Sequence, residues 1–116
     1  MKPRPVLKTR FRVLSGDAIA LGPGKVELLR LIAKTGSLRQ AAAGMDMSYM
    51  RAWSLVRLMN DSFRAPLVEA LRGGKTGGGA TLTPAGEQVL ALYARMEKEA
   101  ARAVGRTWKK LERHLK

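Results

Sequence analysis

Ser48, Tyr49, Met50, Arg51, Ser54 and Arg57 lie close together in a segment whose apolar residues keep a different rhythm. Ala52, Val56, Met59 and Phe63 recur at four-, three- and four-residue steps, which puts them on one face of a helix. The polar set then occupies the remaining surface, near the helix start. A guanidinium there can pair with guanine O6 and N7, a contact worth roughly 1–3 kcal/mol of base discrimination. Hydroxyls can donate to phosphate oxygens. The helix N-terminus after Ser48 offers N–H groups that bind anions. Arg51 is the best candidate for a base contact, with Tyr49, Met50, Ser54 and Arg57 around it. The competing reading is that Arg51 and Arg57 are solvated charges on an exposed helix.

The elements before this helix favour the first reading. Thr35–Asn60 reads as two short helices with a tight break between them. Ser37 begins the first, and Gln40 three residues on completes a capping box. Ala41, Ala42 and Ala43 are small enough for close approach. Met45 and Met47 bracket the break, and Ser48 is a natural N-cap for the second helix. Ser37 and Arg39 are further candidate DNA contacts. Upstream, Pro23 suits a helix start and Gly36 a helix end, with Val26, Leu29, Leu31, Ile32 and Ala33 as the apolar stripe between them. Lys8–Leu14 and Ala18–Leu21 flank the turn signal Ser15-Gly16-Asp17 and suggest a hairpin. Residues 1–7 form a flexible basic arm. Lys2, Arg4 and Lys8 either follow phosphates or are simply solvated.

Downstream, Pro66 stops the helical pattern. Leu67–Leu71 and Ala80–Leu82 are short strand candidates around the loop Arg72–Gly79, RGGKTGGG. Gly74-Lys75-Thr76 looks like the end of a phosphate-binding P-loop, but that motif needs a glycine where Glu69 stands and a helix where Gly77-Gly78-Gly79 follows. A wing is the better reading: glycines let the backbone approach phosphates, and Arg72, Lys75 and Thr76 supply the contacts. An unliganded surface loop is the alternative. Trp53 is expected to rest on this wing rather than stack on a base. Thr83 and Pro84 open a final helix to about residue 115. Its stripe of Val89, Tyr93, Met96, Ala100, Ala103 and Thr107, extended by Leu111 and Leu115, suits pairing with a second copy.

The expected fold is mainly α with small β hairpins: a winged helix-turn-helix with a long C-terminal dimerisation helix. It forms a single domain over 1–116, with a hairpin at 8–21, a three-helix core at 22–64, a wing at 66–82 and the long helix at 83–115.

Composition agrees. The chain of 116 residues carries a net charge of +13, which attracts polyanions, nucleic acid before membrane. With no cysteine, disulfides and thiolate metal sites are excluded. No signal peptide or membrane-spanning run is legible, so a cytoplasmic, soluble protein is expected. Catalysis is not expected: His114 has no partner, Asp46 and Asp61 suit a turn and a helix end, and neither metal nor cofactor is implied. Lys109, Lys110, Arg113 and Lys116 suit a helix C-terminus, where cations oppose the macrodipole.

From Leu21 to Glu99 the chain resembles the N-terminal DNA-binding domain of the molybdate-responsive regulator ModE, a LysR-like winged helix. The resemblance rests on Gly22-Pro23-Gly24-Lys25-Val26-Glu27-Leu28-Leu29, Thr35-Gly36-Ser37, Ala41-Ala42, Met47-Ser48-Tyr49, Ala52-Trp53 and Pro66-Leu67-Val68-Glu69. Gly73 to Thr83, GGKTGGGATLT, is its most specific part. It implies a homodimer on an inverted-repeat operator, with residues 48–57 in the major groove and the wing beside it. Sensor-bearing members carry molybdate-binding domains after this part. The chain stops at Lys116, so direct molybdate sensing is not expected of it. The leading function is a sequence-specific transcriptional regulator binding double-stranded DNA. The alternatives are a nonspecific architectural DNA binder, or a DNA-binding subunit that works with a separate sensor protein.

Overall fold

The computed structural model describes residues 3–71 and 79–116. β1 (Val13–Ser15) and β2 (Ala18–Leu21) form an antiparallel hairpin, followed by α1 (Pro23–Thr35), α2 (Leu38–Gly44) and α3 (Tyr49–Ser62). β3 (Val68–Ala70) pairs antiparallel with β4 (Ala80–Leu82), and α4 (Pro84–Glu112) closes the order. The fold is mainly α with two small hairpins and a long last helix, as the sequence leads one to expect.

The local signals work where they are covalently close. Pro23 opens α1, and Gly36 ends it in the left-handed region at φ 67, its N–H bonded to the Ile32 carbonyl at 2.8 Å. Ser37 Oγ accepts from the Gln40 N–H at 3.1 Å, Ser48 Oγ from the Arg51 N–H at 3.1 Å, and Thr83 Oγ1 from the Gly86 N–H at 3.0 Å. Each cap thus satisfies one orphan donor of its helix.

Several expectations are corrected. The first strand is Val13–Ser15 rather than Lys8–Leu14. β2 ends at Leu21 because Gly22 and Pro23 turn into α1, so residues before Val13 have no strand to pair with. Phe11 is used elsewhere: its ring meets Tyr93 edge-on at 6.3 Å, and its carbonyl accepts from the Tyr93 hydroxyl at 2.8 Å. In α1, Leu28 is buried while Ala33 is exposed and Leu31 half-buried. This helix is covered by α2 on one side and by β4 and α4 on others, so a single stripe does not describe it. Phe63 leaves the α3 face and is half-buried at the C-cap, where the backbone is extended. α4 stops at Glu112, short of residue 115.

The core joins Val26, Leu28, Leu29 and Ile32 of α1 to Leu38, Ala41 and Ala42 of α2 and Ala52, Val56 and Met59 of α3. Leu67, Val68, Ala80 and Leu82 extend it under the second hairpin. Entry to that hairpin is gripped from two sides. Asn60 Oδ1 accepts from the Leu67 and Val68 N–H groups at 2.8 and 3.2 Å, and its Nδ2 donates to the Val68 carbonyl at 3.1 Å. From the other side, the Thr83 hydroxyl donates to the Pro66 carbonyl at 2.6 Å and the Thr83 N–H to the Leu67 carbonyl at 2.9 Å. Gly86 completes the grip by lacking a side chain: a Cβ there falls 2.2 Å from the Leu67 carbonyl oxygen. That oxygen belongs to the backbone and cannot rotate away.

Asn60→Ala removes three hydrogen bonds and orphans two buried donors, an expected loss of about 2–4 kcal/mol. Gly86→Ala is expected to cost at least as much by forcing α4 off the hairpin. Urea denaturation measures both, and midpoints equal to that of the native chain contradict this account.

Candidate nucleic-acid interface

The turn between α2 and α3 is built by the backbone. The Met45 and Met47 N–H groups both reach the Ala42 carbonyl at 3.0 Å, and the Asp46 N–H reaches Ala43 at 3.1 Å. Asp46 takes φ 57, a left-handed conformation that Asp tolerates better than most residues with a Cβ. This tight reversal sets α3 across α2. Ala52, Val56 and Met59 face inward, while Ser48, Met50, Arg51, Ser54 and Arg57 are all exposed. Met50 is 73% exposed.

Two of the candidate residues are arranged in ways their spacing does not reveal. The Arg39 guanidinium of α2 lies 4.5 Å from the centre of the Tyr49 ring, within cation–π range. Trp53 meets the same ring edge-on at 6.4 Å. Arg39 is therefore steered by an aromatic face toward the start of α3, and Tyr49 is half-buried between its neighbours. Tyr49 is the ring that Trp53 meets among the described residues, and the tip of the wing, on which Trp53 is expected to rest, lies outside them. The Ser54 hydroxyl donates back to the Met50 carbonyl at 3.1 Å, which leaves its oxygen as an acceptor facing out. Ser37 is half-buried and spends its oxygen on the α2 cap.

The opening turn of α3 holds no acidic residue, and its Asp61 lies at the far end. None of the ion pairs among the described residues involves α2 or α3; they tie Arg30 to Glu27 and Glu97, and Arg95 to Glu99. Among the described residues, no cation at the start of α3 is in an ion pair.

The second hairpin stands beside α2. Gly79 bridges to Ser37, and the Ala80 N–H donates to the Gly36 carbonyl at 3.2 Å. Arg72, Lys75 and Thr76, the expected contacts of the wing, lie outside the described residues.

On α4, the expected pairing face divides. Tyr93 is buried within the protomer by its bond and ring contact to Phe11, so it leaves the surface open to a second copy. Val89 is half-buried against the core, Ala100 is half-buried, and Met96 and Ala103 are exposed. Leu92, Val104 and Leu111 add exposed apolar surface along the helix, and Leu115 adds more just past its end. Sequence reasoning also missed Asn60, which aims α3 at the second hairpin. An Asn near a helix end is no signal by itself.

Comparison with known proteins places this arrangement. The model of the family described as bacterial regulatory helix-turn-helix protein, lysR family, matches residues 24–87. The molybdenum-pterin-binding protein MopB of Rhodobacter capsulatus is 44% identical over 90 residues, covering 78% of this chain and 33% of that protein. The transcriptional regulator ModE of Haemophilus influenzae is 40% identical over 82 residues, covering 71% of this chain and 32% of its own length. The DNA-binding transcriptional dual regulator ModE of Escherichia coli K12 is 42% identical over 71 residues, 61% of this chain and 27% of that one. The chain spans about a third of the length of the curated relatives it matches. Among solved structures, the CbnR_DBD–DNA complex superposes with a TM-score of 0.58 at 20% identity, over 75% of this chain and 94% of that one. That likeness is one of fold.

Ser48→Ala removes the α3 cap and is expected to cost about 1 kcal/mol, against a few tenths for Ser48→Gly. Equal thermal midpoints for the alanine variant and the native chain contradict the capping role.

Proposed function

The chain belongs to the lysR family of bacterial regulatory helix-turn-helix proteins, and from that premise we propose that it regulates transcription by reading an inverted-repeat operator as a homodimer. α3 enters the major groove. Arg51 reads a base edge, with Met50, Ser54 and Arg57 beside it, while Ser48 and Tyr49 anchor the helix start to phosphate. Ser37 and Arg39 of α2, and Arg72, Lys75 and Thr76 of the wing, hold the flanking backbone. The observation that carries this reading is the outward cationic face of α3, in no ion pair among the described residues, on a helix whose opposite face is locked in the core. A helix fits the major groove, and its first turns reach base edges there.

Pairing through α4 follows from the apolar residues the protomer leaves uncovered. Leu92, Met96, Ala103, Val104 and Leu111 line a helix on the order of 40 Å long. Two copies joined there carry two α3 helices, and two-fold symmetry in the protein asks for it in the operator. The names of the relatives point to molybdenum, and the genes under control are proposed to serve its use.

A second reading is nonspecific binding driven by counterion release, favoured by the net charge of +13. The two differ in one ratio. Arg51→Ala is expected to weaken binding to a selected operator by about ten-fold or more while barely changing binding to scrambled DNA. Lys75→Ala is expected to weaken both alike. Identical behaviour of the two variants on both duplexes contradicts the assigned roles. Met96→Glu places a charge in the proposed pairing face and is expected to shift the chain toward monomer in sedimentation equilibrium. A native chain that is monomeric at micromolar concentration, or that assembles only with a different protein, contradicts the homodimer.

A further inference from the structure

A groove of about 490 Å³ runs between the β1–β2 hairpin, the start of α1 and the start of α3. Four cationic side chains line it: Arg10 and Arg12 from the strand approach, Lys25 from α1 and Arg51 from α3. Met47 and Leu55 are among its apolar lining. No acidic residue lines the groove, and none of the four cations is in an ion pair among the described residues. The neighbouring groove, under Arg30, is different. It contains Glu27 and Glu97, and Arg30 is bonded to Glu97 at 3.2 Å. Lys8, Arg10 and Arg30 share that groove with the two carboxylates, so its charge is offset in part, whereas no carboxylate lines the groove beside α3.

We propose that this groove seats the sugar-phosphate backbone of the same duplex whose bases meet α3, as a contact site that extends beyond the recognition helix onto the first hairpin and α1 and does not involve the wing. The inference rests on the DNA-binding reading above. Arg51 belongs to both surfaces, so an anion in the groove lies next to whatever occupies the α3 face. Lys25 is held in place because its ammonium donates to the Ile19 carbonyl, which fixes hairpin to helix beside the groove. α1 adds a matching field: its N-cap Gly22 supplies no side-chain acceptor, and its first turn holds no acidic residue. Four like charges around one groove repel one another unless an anion sits among them. A phosphodiester strand supplies anions in sequence. Contacts of this kind position the protein and carry no base preference.

The test measures binding against salt for the native chain, the double variant Arg10→Gln/Arg12→Gln, Lys25→Gln and the control Arg64→Gln. Arg64 is exposed just past the opposite end of α3. Each protein is titrated with a selected operator duplex and with a scrambled duplex. In the double variant, the slope of log affinity on log salt is expected to become shallower by about one to two units. Affinity is expected to fall about ten-fold or more on both duplexes, so the ratio between them is kept. Lys25→Gln gives a smaller loss of the same kind, and Arg64→Gln leaves the slope unchanged. Circular dichroism melting checks that each variant is folded, and Lys25→Gln decides the matter if the double variant is not. Unchanged slopes in the folded groove variants overturn the proposal and leave the function of α3 standing. A native chain that binds neither duplex overturns both. Inorganic phosphate, titrated without DNA, separates a free-anion site from a backbone site. Millimolar or tighter binding to the groove, together with unchanged DNA slopes, assigns it to a free anion and overturns the proposal.

Discussion

The segment Pro66–Val68 is held by two helices at once, and the geometry of the molecule depends on that double grip. Asn60 takes it from α3 through three hydrogen bonds. Thr83 takes it from α4 through its hydroxyl and its N–H, and Gly86 lets the helix backbone come close enough for both. An Asn side chain can satisfy two donors and one acceptor of an extended chain in this way because its amide matches the backbone's own hydrogen-bonding groups. The consequence is positional. The second hairpin, α3 and the long helix cannot move independently without orphaning buried backbone groups, each of which costs about 1–3 kcal/mol. A protein that presents a helix and a hairpin to one rigid duplex needs such a fixed angle between them.

On α3 the division of labour is between faces. Small and medium residues, Ala52, Val56 and Met59, bury one side, and the other is left to side chains that are in no ion pair among the described residues. Uncompensated charge on a folded surface is a modest cost in water, because solvent and salt screen it. It becomes an asset where a polyanion displaces that screening and releases counterions. The Arg39–Tyr49 stack belongs to the same logic. A guanidinium resting on an aromatic face loses less freedom when it later meets a phosphate than one waving in solvent.

Much of this was legible in the sequence because it is written locally. Ser37, Ser48, Thr83, Pro23 and Gly36 act within one helical turn of themselves, and the structure uses Pro23 as a helix start and the others as caps. The resemblance carried by residues 21–99 identified the fold class as well. What was not legible is tertiary. Leu28 and Ala33 exchange roles because α1 is covered on more than one side, which no single-stripe reading anticipates. Residues 8–12 alternate like a strand, yet β2 is too short to pair with them, and Phe11 goes to Tyr93 instead. Tyr93 keeps the helical period of a pairing face but is consumed inside the protomer. Asn60 and Gly86 carry no periodic or motif signal, since their importance lies in a backbone segment they meet only after folding.

The central claim is that the exposed start of α3 lies in the major groove of a duplex. Dimethyl sulfate footprinting on a bound genomic fragment tests it most directly, because the reagent methylates guanine N7 in that groove. The account predicts protected guanines in two symmetric clusters separated by whole turns of the double helix, and the loss of that protection with Arg51→Ala. Tight binding with every guanine N7 fully reactive contradicts it.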